Sequence, residues 1–188
     1  MWLVRHGEST WNVRGLVQGQ QTLPALTGAG LRQARRCATS LAGEPVRAVY
    51  SSDLRRAVET ATPIARALGL EVCEEPRLRE RALGVAEGTS TALLTPEHSG
   101  IAEGRVVDAD AAPDGGETVR QLYERATACA SELLAAHAGE EIVLVCHGGV
   151  VRVLLAWLDS VGPDDMSWPE IANAVLIGRS VATPAPAG

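Results

Sequence analysis

Short apolar segments alternate with longer segments of mixed polarity along this chain. Five apolar runs have the length of strands: residues 1–4, 46–50, 70–73, 142–146 and 174–177. Three longer segments repeat apolar residues at the spacing of one helix face, and a fourth is apolar enough for a buried helix: residues 28–42, 54–68, 117–137 and 150–158. Strands that alternate with helices favour a parallel sheet covered on both faces. The sequence therefore predicts an α/β fold of three layers, α/β/α, with a mostly parallel central sheet.

Capping and breaking residues set the boundaries of two of these helices. Thr27 is placed to cap the first one, and the segment 51–53 is placed to cap the second. Gly69 is expected to end the second helix, and Pro63 inside it is expected to kink it or shift its start.

The 188 residues fit one domain over residues 1–181. Residues 89–114 lack a clear period and are interpreted as a cap-like insertion with a short helix near 91–94. Residues 13–24 predict a loop that folds over the strand ends, and the Ala/Pro-rich residues 182–188 predict a disordered tail.

Two histidines have matching positions in this pattern. His6 and His147 each follow an apolar strand and each precede a glycine. Either one alone could be a polar strand end satisfied by water. Parallel strands, however, bring both to the same sheet edge, where open α/β sheets bind ligands. His98 is expected on a loop surface, and His137 is expected at the C-terminal end of a helix.

Arginines and one carboxylate add to this edge. Arg55 and Arg56 open a helix, where free N–H groups suit an anion and where an arginine is otherwise unfavourable. A buried anion would offset that cost for one of the pair, and the other would be solvated. Glu80 lies among arginines 77, 79 and 81. It is either part of a surface charge network or a general acid next to a bound anion.

Composition excludes several functions. The net charge of -6 and the absence of any lysine argue against non-specific nucleic-acid binding, Schiff-base chemistry and a P-loop. No apolar run is long enough to span a membrane. The four cysteines, 37, 73, 129 and 146, are isolated, without the spacing of a zinc site, and are expected to be reduced core thiols. The first strand begins at the start of the chain, so no secretory leader is expected and a cytoplasmic location is predicted.

Together the motifs resemble the histidine phosphatase superfamily, in its phosphoglycerate-mutase-like branch 1. The resemblance covers residues 3 to about 177 and depends on the following segments: Leu-Val-Arg-His-Gly-Glu-Ser-Thr-Trp-Asn at 3–12, Ser-Ser-Asp-Leu-Arg-Arg-Ala at 51–57 with Thr60, Leu78-x-Glu80 with Gly84 and Glu87-Gly88, Gly115-Gly116-Glu117, and His147-Gly148-Gly149. It implies a phosphoglycerate-mutase-like fold and catalysis through a phosphohistidine, without a cofactor.

The resemblance also implies roles for individual residues. His6 matches the nucleophile, Glu80 the proton donor, and Arg5, Arg56 and His147 the groups that clamp the phosphate. The candidate substrate-binding residues are Asn12, Gln18, Gly19 and Gly148, although Asn12 alone could be a turn residue. Arg55 is then the solvated arginine of its pair. His6 must present an unprotonated nitrogen to phosphorus, so its other nitrogen needs an acceptor such as a backbone carbonyl.

The residues favour a phosphatase of small phosphorylated metabolites over a mutase. A mutase needs a second anion site, whereas residues 89–114 hold five acidic residues against Arg105 and His98. This predicts a leaving group that is neutral or lightly charged, unless Arg14, Arg79 and Arg81 line the mouth. The alternatives are a phosphoglycerate-type mutase, a phospho-ligand binding module and, without supporting ligand spacing, a metal-dependent hydrolase. The loop 20–27 lacks an aspartate that the family commonly has, and the sequence does not fix the oligomeric state.

Overall fold

A five-stranded sheet forms the centre of the computed structural model, which describes residues 1–180. The strands of this sheet are β1 (Trp2–Arg5), β2 (Val46–Ser51), β3 (Val72–Glu74), β6 (Glu141–Cys146) and β7 (Leu176–Gly178), in the order β3-β2-β6-β1-β7. All neighbouring pairs are parallel except β1 and β7. A separate hairpin contains β4 (Ile101–Ala102) and β5 (Arg105–Val106).

Helices cover both faces of the sheet. They are α1 (Thr10–Val13), α2 (Gly28–Leu41), α3 (Arg55–Leu68), α4 (Pro96–Ser99), α5 (Val119–Ala136) and α6 (Gly148–Leu158). Side chains alternate along β6: Ile142 and Leu144 pack with α5 and α6, whereas Val143 and Val145 pack with α2 and α3. Because both faces of the strand are buried, it is apolar throughout. The predicted three-layer α/β/α fold is confirmed.

The ends of the helices confirm some predicted signals and correct others. Thr27 caps α2 through its side chain, and Gly69 ends α3 in the left-handed conformation. The predicted cap of α3 at 51–53 is wrong, because the N-cap is Leu54, without a side-chain bond. Pro63 lies inside α3 and does not shift its start.

Two irregular regions contain more structure than the sequence pattern predicts. The predicted loop 13–24 follows a short helix, α1, in which Ser9 and Asn12 form a capping box. The insertion 89–114 contains a 3₁₀ turn at Thr91–Leu93, helix α4 and the β4–β5 hairpin. The predicted tail at 182–188 lies outside the described residues.

The cysteine prediction holds for three of four residues. Cys37, Cys129 and Cys146 are buried, whereas Cys73 is exposed. The reason is its place in β3, an edge strand that pairs only with β2.

Candidate active site

A cavity of about 240 Å³ opens at the carboxyl ends of β1 and β6. Arg5, His6, Arg56 and Glu80 all line it. His147 is fully buried beside His6, with the two ring centroids 5.2 Å apart. We call Arg5, His6, Arg56 and His147 the strand-end cluster. A larger cavity of about 710 Å³ lies at the opposite end of the sheet and contains none of the predicted site residues.

His6 extends β1 and is held on both sides by backbone. Its amide donates to the Cys146 carbonyl at 2.9 Å, and its ring Nδ1 lies 2.7 Å from the Gly7 carbonyl. A carbonyl can only accept, so Nδ1 carries the proton and Nε2 keeps its lone pair. Burial lowers the pKa of His6 well below its usual value, and the charges of Arg56 and Arg5 add to this effect. The ring is therefore a neutral base at physiological pH.

The two arginines are anchored by carbonyl groups. Arg5 Nη1 donates to the Ile171 carbonyl. Arg56 has no exposed surface and donates to the carbonyls of Gly19 at 2.8 Å and Gln21 at 2.9 Å. Burial lowers the pKa of Arg56 to about 10, which leaves it protonated at neutral pH. Arg55, as predicted, is exposed and pairs with Glu59.

Three buried side-chain nitrogens in residues 1–180 have no hydrogen-bond partner: Arg5 Nε, Arg56 Nε and His147 Nδ1. Leaving a buried donor unsatisfied is costly, and native proteins rarely do so without a reason. All three atoms belong to the strand-end cluster, and two of them are part of positively charged guanidinium groups. The cluster therefore has the donors, and the charge, to receive an anion with several oxygen acceptors.

Glu80 reaches the same cavity from another segment. Both of its carboxylate oxygens lie 3.1 Å from the Gly149 amide, and Oε1 also accepts from the Arg81 amide at 2.9 Å. Gly149 is in the first turn of α6, where free N–H groups favour an anion. A Cβ at this position would overlap with Oε1 of Glu80. Glycine is thus required for the carboxylate to approach the helix so closely.

The predicted substrate-binding residues have different positions. Asn12, Gln18 and Gly19 line the cavity, whereas Gly148 is buried at the start of α6 beside Arg5. The Asn12 Oδ1 accepts from the Ser9 amide at 3.0 Å, so its amide nitrogen remains as a donor. Gly19 also accepts a hydrogen bond from Arg56 through its carbonyl.

The loop 20–27 lacks an aspartate, and the carboxylate of Glu87, from a later segment, orders it. Glu87 accepts from the Gln20 amide at 2.9 Å, from the Leu83 amide at 2.9 Å and from the Gln21 side chain at 3.0 Å. These bonds tie the loop to the segment that follows Glu80. The loop packs beside the strand-end cluster without an acidic residue of its own.

The mouth of the cavity has a different composition, and we call its apolar part the rim: Leu16, Val17, Leu83, Leu94, Ile101 and Trp168. Of the three arginines considered for the mouth, Arg14 is exposed outside it and Arg79 pairs with Asp53. Arg81 lines the cavity, but its guanidinium donates to three backbone carbonyls, of Glu117, Ser99 and Ala111.

Sequence reasoning missed three polar residues near the site. Arg152 lines the cavity, stacks on Trp168 at 4.9 Å and donates to the Pro169 carbonyl. Asn173 donates to the His6 carbonyl and to Asn12, each at 3.2 Å. Ser52, interpreted only as a helix cap, contacts His147 instead. Arg152 could have been found from its place one helical turn after Gly148, whereas Asn173 gave no local signal.

The described residues, 1–180, lack two structural features. They contain no group of three or more His, Cys, Asp or Glu side chains arranged to hold a metal ion. No helix within residues 1–180 has both the length and the apolar character needed to cross a membrane.

Comparison with known proteins identifies the family. Residues 1–180 match the sequence profile of the histidine phosphatase superfamily (branch 1). The chain belongs to this superfamily. Phosphoglycerate mutase-like protein 4 of Arabidopsis thaliana is 42% identical over 157 residues, which cover 81% of this chain and 67% of that protein. Metal-independent phosphoserine phosphatase of the same plant is 41% identical over 158 residues, covering 81% of this chain and 65% of that protein.

Solved structures of the superfamily share the fold. A mycobacterial glucosyl-3-phosphoglycerate phosphatase in complex with VO₃ superposes with a TM-score of 0.80 and 32% identity, over 94% of this chain and 88% of that one. The resemblance seen in the motifs and the predicted phosphoglycerate-mutase-like fold are both confirmed. Names in the superfamily include mutases as well as phosphatases, so membership alone does not decide the reaction.

Proposed function

We propose that this protein hydrolyses the phosphate monoester of a small metabolite through a phosphohistidine intermediate. The observation that carries the proposal is the group of three buried side-chain nitrogens without a partner, two of them guanidinium donors, beside a neutral histidine whose Nε2 lone pair is free. A phosphoryl group offers acceptors for those donors and an electrophilic centre for the lone pair. Catalysis of phosphoryl transfer consists mainly of such positioning and charge stabilisation.

The reaction has two balanced steps. In the first, His6 Nε2 attacks phosphorus, the bond from phosphorus to the ester oxygen breaks, and Glu80 gives its proton to the departing alkoxide. In the second, Glu80 accepts a proton from water as the water oxygen attacks phosphorus, and the bond from phosphorus to Nε2 breaks. The products are an alcohol and inorganic phosphate, and both His6 and Glu80 return to their starting state. Arg5, Arg56 and His147 hold the equatorial oxygens in both steps.

The rim supports hydrolysis over mutase chemistry. A mutase holds a second anionic group, whereas six of the residues that line this cavity are the apolar residues of the rim and Arg81 is occupied by three carbonyls. Among the arginines at the described mouth, Arg152 alone has both terminal nitrogens without a hydrogen-bond partner in residues 1–180. The mouth thus offers a leaving group one positive charge. We therefore propose a leaving group that is mostly uncharged, and small enough for a cavity of about 240 Å³.

Two assays in parallel test the proposal. Release of phosphate from p-nitrophenyl phosphate is measured beside interconversion of the two phosphoglycerates, both in excess chelator. We expect steady hydrolysis that the chelator does not inhibit, with acid-labile phosphate on the protein after rapid quenching. Mutase turnover that exceeds hydrolysis, or hydrolysis without any labelled protein, would contradict the proposal.

A further inference from the structure

Ser52 makes a hydrogen bond that the proposed reaction does not by itself explain. Ser52 and His147 both have no exposed surface, and Ser52 Oγ lies 2.9 Å from His147 Nε2. The other hydrogen bond of this hydroxyl in the described chain is with the Leu54 amide at 3.3 Å, in which the oxygen accepts. His147 Nε2 is therefore the acceptor available within residues 1–180 for the hydroxyl hydrogen.

This geometry assigns the tautomer of His147. If the hydroxyl donates to Nε2, that nitrogen has no proton and Nδ1 has one. The opposite tautomer would leave a buried hydroxyl hydrogen without an acceptor, which folded proteins avoid. In that tautomer Nδ1 of His147 would be unprotonated. This buried nitrogen has no hydrogen-bond partner, and it would then offer a lone pair instead of an N–H.

We propose that Ser52 is a positioning residue that holds neutral His147 with its proton on Nδ1, so that this N–H donates to the bound phosphate. The proposal rests on the proposed function for the identity of the anion. It also gives the two histidines complementary tasks. Both rings carry the proton on Nδ1, fixed by the Gly7 carbonyl in His6 and by the Ser52 hydroxyl in His147. His6 is then left with a lone pair for attack, and His147 is left with a donor for charge.

The first test reads the tautomer directly in the wild-type protein. The chain has four histidines, and the nitrogen-15 shifts of labelled imidazoles distinguish protonated from unprotonated ring nitrogens. The variants His98→Gln and His137→Gln assign the two histidines outside the site, and His147→Asn separates the other two. We expect His147 to show a protonated Nδ1 and an unprotonated Nε2 at pH 7.5. A protonated Nε2 with an unprotonated Nδ1 would overturn the proposal.

The second test changes Ser52 itself. Ser52→Ala removes the donor to Nε2, so we expect a mixture of His147 tautomers and a loss of kcat/KM of about 10- to 100-fold, the usual scale for a partner that orients a functional ligand. Ser52→Thr keeps the hydroxyl and should recover much of the loss. Ser51→Ala is the matched control, because its equally buried hydroxyl donates to the Ser52 carbonyl and does not touch His147. We expect it to keep wild-type His147 signals and kcat/KM.

The outcomes separate this inference from the proposed function. If Ser52→Ala folds with unchanged His147 signals and unchanged kcat/KM, Ser52 has only a packing role and the inference is wrong. If Ser52→Ala does not fold, the wild-type spectrum alone decides. A protein with the expected tautomer that turns over none of the esters tried would refute the phosphatase proposal. In that case, titration with inorganic phosphate must still shift the nitrogen-15 signal of His147 Nδ1. The absence of a shift would overturn the inference about Ser52 and His147 as well.

Discussion

Three members of the strand-end cluster line the same cavity as the rim, but different kinds of structure hold the cluster and the rim in place. Arg5 is the last residue of β1, His6 and His147 directly follow β1 and β6, and the His6 amide continues the sheet by bonding to the Cys146 carbonyl. The rim residues lie in loops, at the ends of short 3₁₀ turns and in a two-residue strand. The two histidines are thus fixed at the ends of sheet strands, Arg56 by helix α3 and Glu80 by its bond from Gly149, whereas the groups that meet the leaving alcohol are on segments that can vary.

The largest loss of activity is expected when the nucleophile is removed from the strand-end cluster. In His6→Ala the two-step route is lost while the arginines remain, so we expect kcat to fall by at least about 10⁴-fold, as for other covalent nucleophiles. Inorganic phosphate should still bind, because its donors are intact. Hydrolysis of p-nitrophenyl phosphate and calorimetry with phosphate measure the two effects. His98→Ala, on the exposed surface, is the control.

If His6→Ala retained most of its turnover, the catalytic role of the strand-end cluster would be refuted. The protein would then be better described as a phospho-ligand binding module whose measured activity comes from elsewhere.

The next largest effect is expected at Glu80. Glu80→Gln keeps the size of the side chain but cannot donate a carboxyl proton, and such an acid–base group is typically worth about 10²- to 10⁴-fold. The loss should be larger for an alkyl phosphate, whose alkoxide needs the proton, than for p-nitrophenyl phosphate, whose phenolate leaves readily. The ratio of the two losses is the measurement. Equal losses for both esters would assign Glu80 to charge or packing, and not to proton transfer.

A smaller effect is expected when the glycine beneath that carboxylate is changed. The Cβ in Gly149→Ala would overlap with Glu80 Oε1 and displace it, and a displacement of about 1 Å can cost up to about 100-fold. We expect a loss of kcat of about 10- to 100-fold with a small change in KM. Gly162→Ala is the control, since a Cβ there meets nothing within 4 Å. Wild-type kcat in Gly149→Ala would show that the helix terminus does not position Glu80.

The glycine contact illustrates which parts of the molecule the sequence can reveal. The cluster follows from local patterns, because an apolar strand that ends in a histidine and a glycine determines where that histidine lies. The rim depends on distant contacts. Arg81 holds the insertion in place by donating to the carbonyls of Ser99 and Ala111, 18 and 30 residues away, and no period in residues 89–114 encodes this.

The errors around α3 have a similar physical origin. Ser52 resembles a helix cap in the sequence, but its hydroxyl bonds to His147, 95 residues away, so Leu54 takes the cap position without a side-chain bond. Cys73 looks like a core residue in an apolar run, but β3 is at the sheet edge. Asn173 has no pattern around it and gains its role only when the chain returns to the site.

The buried state of the cluster predicts a pH dependence of stability that the rim should not show. Burial lowers the pKa of both His6 and His147 well below the usual value near 6.5. Below that pH the unfolded chain binds protons on these rings while the folded protein does not, so stability falls as pH decreases towards the lowered pKa values. The limiting slope is about 1.4 kcal/mol per pH unit for each ring.

Urea unfolding of the phosphate-free protein between pH 7.5 and 5.5 measures this slope. In His6→Asn one of the two rings is absent, so the slope should decrease by up to about 1.4 kcal/mol per pH unit. The exposed His98 provides the comparison, and His98→Asn should retain the wild-type slope. Equal slopes in the wild type and His6→Asn would mean that folding does not lower the pKa of His6, which would contradict the burial of its ring as the cause of a neutral nucleophile.

The smallest effect is expected at Arg152, which stacks on the rim residue Trp168. Arg152 is held by Trp168 and the Pro169 carbonyl, and it is partly open to solvent, where an ion pair typically contributes about 0.2–1 kcal/mol. If the leaving group is mostly uncharged, Arg152→Gln should raise KM no more than about twofold for neutral esters, and about two- to fivefold for an ester whose alcohol carries a carboxylate. Steady-state kinetics with a carboxylated ester and its amide measure the difference. A much larger loss confined to the carboxylated ester would mean that Arg152 binds the substrate's second charge, and the mouth would then select an anionic alcohol despite its apolar rim.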